Sequence, residues 1–368
     1  MSVFDRLVGQ DATVARLRAA VAGEGMTHAW LFTGPPGSGR SIAARAFAAA
    51  LQCADRGCGT CASCHQVAAG SSPDVTQLRP EGVQIKKEDA ELLISRMFRK
   101  PQSSPWTIVV VEDADRLNDT AANMLLKVLE EPPEHAVLML CAPSIEDVLP
   151  TIRSRCRSVT LGLPSTESIT AVLTAEGIPE HQARWAAGAA QAHIGRARRL
   201  ATDEESRDQR ARALALADRL ASVGDCLAAS ADLVSSAAAE ATDLTKEAVA
   251  EADALLEAVG KVRGSAGLRK EVETRIKNQT KRSRRDALDR ALVDLAAWYR
   301  DVAVTALGGR HLVHADQADV IRAAAATSAP EANLRRVEAI LECRTALTDT
   351  NVDELLAIER MALALRSA

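Results

Sequence analysis

The stretch His28-Ala29-Trp30-Leu31-Phe32-Thr33-Gly34-Pro35-Pro36-Gly37-Ser38-Gly39-Arg40-Ser41 decides the fold. Residues 29 to 33 form a short apolar run, the mark of a buried strand, and they lead straight into a loop with glycines at 34, 37 and 39. Such a loop lets backbone N–H groups converge on phosphate oxygens, while a lysine reaches the outer phosphates and a hydroxyl holds magnesium. Here Arg40 stands in the lysine's place and Ser41 keeps the hydroxyl. A guanidinium is larger, planar and forked, so the exchange preserves phosphate-binding geometry better than it preserves catalysis by positioning. The alternative is a Gly/Pro turn without a ligand.

Around the loop, strands and helices alternate. Asp11 to Ala22 has helical apolar spacing, residues 42 to 51 continue as an alanine-rich helix, and Lys87 to Lys100 reads as a further amphipathic helix. Thr107 to Val111 is a β-branched run suited to a strand buried on both faces. Asn118 to Glu131 reads as a helix stopped by Pro132-Pro133, and Ala136 to Cys141 as another buried strand. The order predicts a P-loop NTPase-type α/β domain over residues 1–163, with a doubly wound parallel sheet. Beyond Leu163-Pro164 strand-like runs vanish. Residues 164–202 predict a small helical domain and residues 203–368 a longer one, interrupted near Gly260 to Gly267 and at Gly308-Gly309.

Composition supports a mainly helical chain of two or three domains. The 368 residues are 47% hydrophobic, only 2% aromatic and rich in alanine. Forty-five basic against 49 acidic residues give a net charge of −4, which excludes a global basic field drawing the chain onto nucleic acid. Neither a long apolar run nor a signal-peptide pattern is visible, so the chain reads as cytoplasmic and without a membrane partner.

The second strong signal is Cys53, Cys58, Cys61 and Cys64, spaced C-x4-C-x2-C-x2-C and followed by His65. Four thiolates on a short loop with small residues describe a closed, structural zinc site. An iron–sulfur cluster and a redox dithiol are the other readings. Cys226 and Cys343, isolated in helical stretches, read as small core residues.

The acidic motif is Val109-Val110-Val111-Glu112-Asp113-Ala114-Asp115. Sites that hold magnesium and activate water carry Asp then Glu at this point. Glu112 and Asp113 reverse that order, each carboxylate being displaced by one methylene, which argues against magnesium and, with Arg40, for a lapsed active site. Two solvated carboxylates at a strand end are the plainer reading. Thr151-Ile152-Arg153-Ser154-Arg155-Cys156-Arg157 places three arginines in five positions, either a solvated face or a group that stabilises phosphate charge in trans. Lys281-Arg282-Ser283-Arg284-Arg285 reads as a solvated helix face beside Asp286 and Asp289, or as a DNA contact.

Together these residues resemble the clamp-loader subunits of bacterial DNA polymerase III, a branch of the AAA+ class, and the delta-prime kind in particular. The likeness rests on Val8-Gly9-Gln10, the entry into the loop, the cysteine module, Asn123 to Pro133 (NMLLKVLEEPP) and Thr151 to Cys156, with Trp298-Tyr299-Arg300-Asp301 as the best local match in the tail. It covers residues 1 to 200 strongly. The resemblance implies an AAA+ domain, a helical lid and a C-terminal collar domain for oligomerisation. It implies a ring, built with gamma/tau ATPase subunits and a delta subunit, that loads a sliding clamp on primed DNA. In that ring Arg155, flanked by Ser154 and Cys156, matches the arginine finger presented to a neighbour's ATP. Gly195 falls where motor subunits carry a sensing arginine. ATP or ADP remains the nucleotide of a degenerate site formed by residues 34 to 41, Glu112 and Asp113. An active ATPase motor subunit is the alternative, because motor subunits share the cysteine module and the Ser-Arg-Cys segment; a stand-alone zinc-containing DNA-binding protein is the third reading.

Overall fold

A computed structural model describes residues 2–80, 84–259, 265–349 and 352–368. The chain divides into two compact units, residues 1–201 and 202–368.

The first unit is built on five parallel strands. In chain order they are β1 (Ala29–Thr33), β2 (Val75–Leu78), β3 (Thr107–Val111), β4 (Ala136–Ala142) and β5 (Arg157–Thr160). Their order across the sheet is β2-β3-β4-β1-β5. β1 thus lies between β4 and β5, with Leu31 opposite both Leu140 and Ser158. Helices α1 (Asp11–Val21), α2 (Arg40–Gln52), α3 (Ala62–Ala69), α4 (Lys87–Met97), α5 (Asp119–Glu130) and the short α6 (Pro150–Arg153) connect and flank the strands.

The alternation of side chains along each strand feeds two cores. Trp30, Phe32, Ile108, Val110, Val137 and Met139 face one way and meet α1, α2 and α3 through Leu17, Phe47 and Val67. Ala29, Leu31, Val109, Val111, Leu138 and Leu140 face the other and meet α4 and α5 through Leu93, Met97, Ala122, Val128 and Leu129. Both faces are covered, which is why β1, β3 and β4 read as unbroken apolar runs.

Thr166–Ala175 (α7), Glu180–Ala189 (α8) and Ile194–Thr202 (α9) complete this unit around their own apolar cluster, including Ile169, Leu173, Ala186 and Leu200. This cluster lies within the residues expected to form a small helical domain at 164–202, and residues 164–201 fall in the same compact unit as the sheet.

The second unit is helical throughout: α10 (Glu204–Ala215), α11 (Val223–Val259), α12 (Ser265–Ala306), α13 (Ala318–Thr327), α14 (Pro330–Asp349) and α15 (Glu354–Ser367). Its core gathers Leu288, Leu292, Leu295, Trp298 and Val302 of α12 with Ile340 of α14 and Ile358 and Met361 of α15. Beside it lies a buried polar cluster. The Arg210 guanidinium donates to Asp316 and, at 2.6 Å, to Nδ1 of fully buried His314, whose backbone N–H donates to Asp301 Oδ2 at 2.8 Å. Burial and Arg210 hold the His314 imidazole below its usual range. Most of the break expected near Gly260 to Gly267 lies outside the described residues, and the one at Gly308-Gly309 coincides with the end of α12. Among the described residues, no helix is long and apolar enough to cross a membrane.

The basic run at 281–285 is not wholly a solvated face. Arg284 and Arg285 reach the buried carboxylate of Glu354, at 2.5 and 3.5 Å, in the first turn of α15. Asp289, expected as a partner of the run, is held by Arg344 instead, at 2.7 Å.

Candidate functional site

Parallel strands bring four chain segments to one end of the sheet. The loop after β1, the acidic residues after β3, Pro143 after β4 and Leu161 after β5 all follow carboxyl ends, and the strand order reverses at β1. Crevices of this kind are where open α/β sheets bind ligands. Two hydrogen bonds fasten the ends together: Gly34 N–H donates to the Pro143 carbonyl at 3.1 Å, and Leu161 N–H donates to the Thr33 carbonyl at 2.8 Å.

The loop requires its glycines for two reasons. A Cβ on Gly34 would lie 2.4 Å from the Leu161 carbonyl oxygen and 2.6 Å from Ser38 Oγ, so no side chain fits. Gly37 and Gly39 adopt φ of 91° and 88°, in the left-handed region. Gly39 then caps α2, whose first N–H groups face the loop. Ser38 is buried, and its Oγ has no hydrogen-bond partner. The turn between α8 and α9 lies against this loop: a Cβ on Gly37 would stand 3.5 Å from the Ala192 carbonyl and from His193. Gln191 and Ala192 in that turn have φ of 50° and 66°, a strained backbone of the sort that clusters at ligand sites. Gly195 lies in the first turn of α9.

Arginines surround the acidic residues. Arg40 folds back over the loop and donates to the Gly34 carbonyl. Arg45, one turn further along α2, donates to the Ser41 carbonyl at 3.1 Å, and burial together with the nearby Arg79 charge holds its guanidinium below its usual pKa. Arg79 follows β2, and the register that pairs Leu78 with Val111 sets it beside Glu112. Its Nε lies 3.0 Å from Glu112 Oε1, whose side chain is only 9% exposed. Asp113 adopts φ of 53° and turns toward Arg116 at 3.9 Å. Burial raises the Asp115 carboxyl above its usual range, and its Oδ1 is buried without a hydrogen bond. Burial likewise pushes the Cys141 thiol, at the end of β4, up to about 12.

The residues expected at the loop and after β3 are therefore brought together, Asp115 of the acidic motif among them, along with three that the sequence reading passed over: Arg45, Arg79 and His193. Magnesium, which sites of this architecture carry, does not fit them. Its carboxylate ligand would be Glu112, and a guanidinium already sits against that group.

Arg155 belongs elsewhere. It precedes β5, whose first residue, Arg157, is opposite Trp30, so it lies at the amino end of the sheet while the loop lies at the carboxyl end. A strand of this length separates the two ends by about 15 Å, at about 3.3 Å per residue. Its side chain is 38% exposed and donates to Glu130 Oε1 at 2.7 Å and to the Thr151 carbonyl at 2.9 Å. Ser154 Oγ donates to the same carbonyl at 3.1 Å. Cys156 turns inward against the core, and burial pushes its thiol up to about 12.

The four cysteines converge beyond the far end of α2. Their Sγ atoms all lie within 4.8 Å of one another, with Cys53 3.7 Å from Cys58 and 3.6 Å from Cys61. Four sulfurs about 2.3 Å from a tetrahedral ion lie about 3.8 Å apart, so the set fits a metal ion and no pair is in disulfide contact. Backbone N–H donation around Thr60 lowers the Cys58 thiol to about 6, whereas burial raises that of Cys64 to about 12. The module also fastens the start of the chain: Val3 N–H donates to the Gly57 carbonyl at 3.0 Å.

Residues 9–164 match the family model described as DNA polymerase III, delta subunit. The chain is 38% identical to DNA polymerase III subunit delta' of Pseudomonas aeruginosa over 37% of its own length and 44% of that protein's. It is 29% identical to subunit delta' of Bacillus subtilis over 52% of its length and 59% of the relative's. It is 36% identical to subunit gamma/tau of Mycobacterium tuberculosis over 46% of its length and 30% of the relative's. The chain thus matches less than two thirds of each of these proteins. Over residues 9–164, the stretch that holds its parallel sheet, glycine loop and cysteine module, the chain is similar to the delta, delta-prime and gamma/tau subunits of DNA polymerase III.

Proposed function

We propose that this chain is a non-hydrolysing member of a DNA polymerase III clamp loader. It completes a ring with gamma/tau ATPase subunits and a delta subunit, and it supplies Arg155 to the ATP of the adjacent subunit. The ring would load the sliding clamp on primed DNA during replication. The observation that carries this reading is the separation of Arg155 from the chain's own loop: an exposed guanidinium at the amino end of the sheet has no substrate of its own to serve. An arginine of that kind stabilises charge on a γ-phosphate held by a partner.

The chain's own crevice supports the same reading from the other side. Arg40 is bonded to the loop it should leave open, and Glu112 is engaged by Arg79. Neither is poised for in-line attack by water, which depends on positioning. The cysteine module has the structural role of a closed zinc site, and about one equivalent of zinc per chain is the expected result of metal analysis. Below about half an equivalent, with no iron, the cysteines would have to be regarded as free.

Reconstituting the complex with Arg155→Ala tests the proposal; unchanged clamp-dependent ATP turnover would overturn it. A second reading, an ATPase motor subunit, is favoured by the retained Gly37, Gly39 and Ser41 and by the gamma/tau relatives. Steady-state hydrolysis by the isolated chain, abolished by substituting Gly39 or Ser41, would favour it.

A further inference from the structure

The acidic pair after β3 is placed where a P-loop site of this architecture keeps its magnesium, but its charges are already matched from within the chain. Arg79 Nε stands 3.0 Å from Glu112 Oε1, and Asp113 turns to Arg116 at 3.9 Å. Arg45 adds a third guanidinium to the electrostatic surroundings of Glu112. These partners come from β2's end, from α2 and from the turn after β3, so three elements around the pair each contribute a cation. A divalent ion bound to Glu112 would sit beside the Arg79 guanidinium, and like charges at that range repel strongly where water is scarce. Magnesium also demands near-ideal octahedral geometry and several retained waters, for which a carboxylate with 9% of its side chain exposed leaves little room.

The same arrangement suits an anion. At the carboxyl end of the sheet Arg79 and Arg45 lie beside Glu112, Arg40 lies over the loop at the Gly34 carbonyl, and the N–H groups of α2 open on the loop. Ser38 Oγ, buried against Gly34 inside that loop, has no hydrogen-bond partner.

We infer that this crevice takes the phosphates of a nucleotide without magnesium, the metal's charge being replaced by Arg79 at Glu112 and by Arg40 and Arg45 along α2. The inference rests on the reading of residues 34 to 41 as a phosphate cradle. It makes the subunit's nucleotide a structural ligand, held whether or not the metal is present, and separates it from the metal-dependent nucleotides of motor subunits.

The test uses the full-length, metal-loaded chain and a fluorescent ribose-labelled ADP or ATP, titrated in millimolar magnesium and again in excess chelator that spares the cysteine site. The expected dissociation constants agree within about twofold, whereas Arg79→Ala, a change at a half-exposed side chain, makes binding tighter by about tenfold when magnesium is added. Weakening of wild-type binding by about tenfold or more on removing magnesium overturns the inference, as does an Arg79→Ala chain that remains indifferent to the metal. A second arm needs no nucleotide: manganese titration followed by electron paramagnetic resonance. Wild type is expected to show no saturable site, and Arg79→Ala to gain one that Glu112→Gln removes. A saturable wild-type manganese site lost in Glu112→Gln overturns the inference even where nucleotide binds. Absence of nucleotide binding in both buffers overturns the cradle reading and the inference with it, and the manganese arm then still shows whether the arginines exclude the metal.

Discussion

The two ends of the parallel sheet present arginines in opposite circumstances. At the carboxyl end Arg40, Arg45 and Arg79 are bound to the chain's own carbonyls and carboxylates, around a buried glutamate. At the amino end Arg155 is exposed and held by one exposed carboxylate and one carbonyl. A surface ion pair such as Arg155–Glu130 contributes about 0–1 kcal/mol and is exchanged readily for a better partner. Buried groups pair more stubbornly, because removing one partner leaves an uncompensated charge in the interior. The contrast separates a crevice whose arginines are matched from within the chain from an edge whose arginine is held only at the surface.

The largest expected effect tests the outward edge. In the assembled ring Arg155→Ala should lower hydrolysis at the adjoining subunit's site by about 10³-fold, as other trans arginines do, with the chain's own fold unchanged. Single-turnover hydrolysis in a ring where only that site is active reads it, and a loss below threefold or so would erase the distinction between the two ends.

Next is the joint that holds the inward crevice together. Gly34→Ala drives a Cβ to within 2.4 Å of the Leu161 carbonyl, a backbone atom that cannot step aside. The expected cost is about 1–3 kcal/mol in a denaturant titration, because overpacking displaces the ends of β1 and β5. A transition superimposable on wild type would show that the carboxyl end is looser than its hydrogen bonds imply.

The smallest effect concerns Asp115. Burial raises its carboxyl above the usual value, so the folded chain holds the proton more tightly than the unfolded one. The associated stability is complete below about pH 3.9, the unfolded value, and is lost as pH rises through the folded one. Asp115→Asn cannot ionise, and should therefore gain on wild type across that window by a fraction of a kcal/mol, up to about 1. Thermal melts at a series of pH values check this, and a difference that stays flat with pH would mean the crevice is wetter than Asp115 requires.

How much of this was legible beforehand depends on where each residue finds its partner. β1 and β3 run over the expected residues and β4 differs by one, because strands covered on both faces must be continuously apolar. β2 and β5 escaped notice because they are the sheet's edges: Val-Thr-Gln-Leu and Arg-Ser-Val-Thr bury only Val75 and Val159 respectively. Missing β2 also hid the Arg79–Glu112 pair, which follows from its register with β3. The cysteines were visible because all four fall within twelve residues, whereas Arg284 and Arg285 find Glu354 some seventy residues later, beyond any local pattern. His193 reaches the loop through a turn in strained backbone, and no spacing in the sequence announces such a contact.

The seat of β1 between β4 and β5 has a cost that is paid in time. This strand, buried at all five residues, leaves the ribosome before both of its neighbours, Ala136–Ala142 and Arg157–Thr160. At about 5–20 residues per second, on the order of ten seconds pass before either edge of Trp30-Leu31-Phe32 can be covered. Of the five described strands β1 thus waits longest for a partner, and its apolar side chains are the nascent chain's most prolonged exposure.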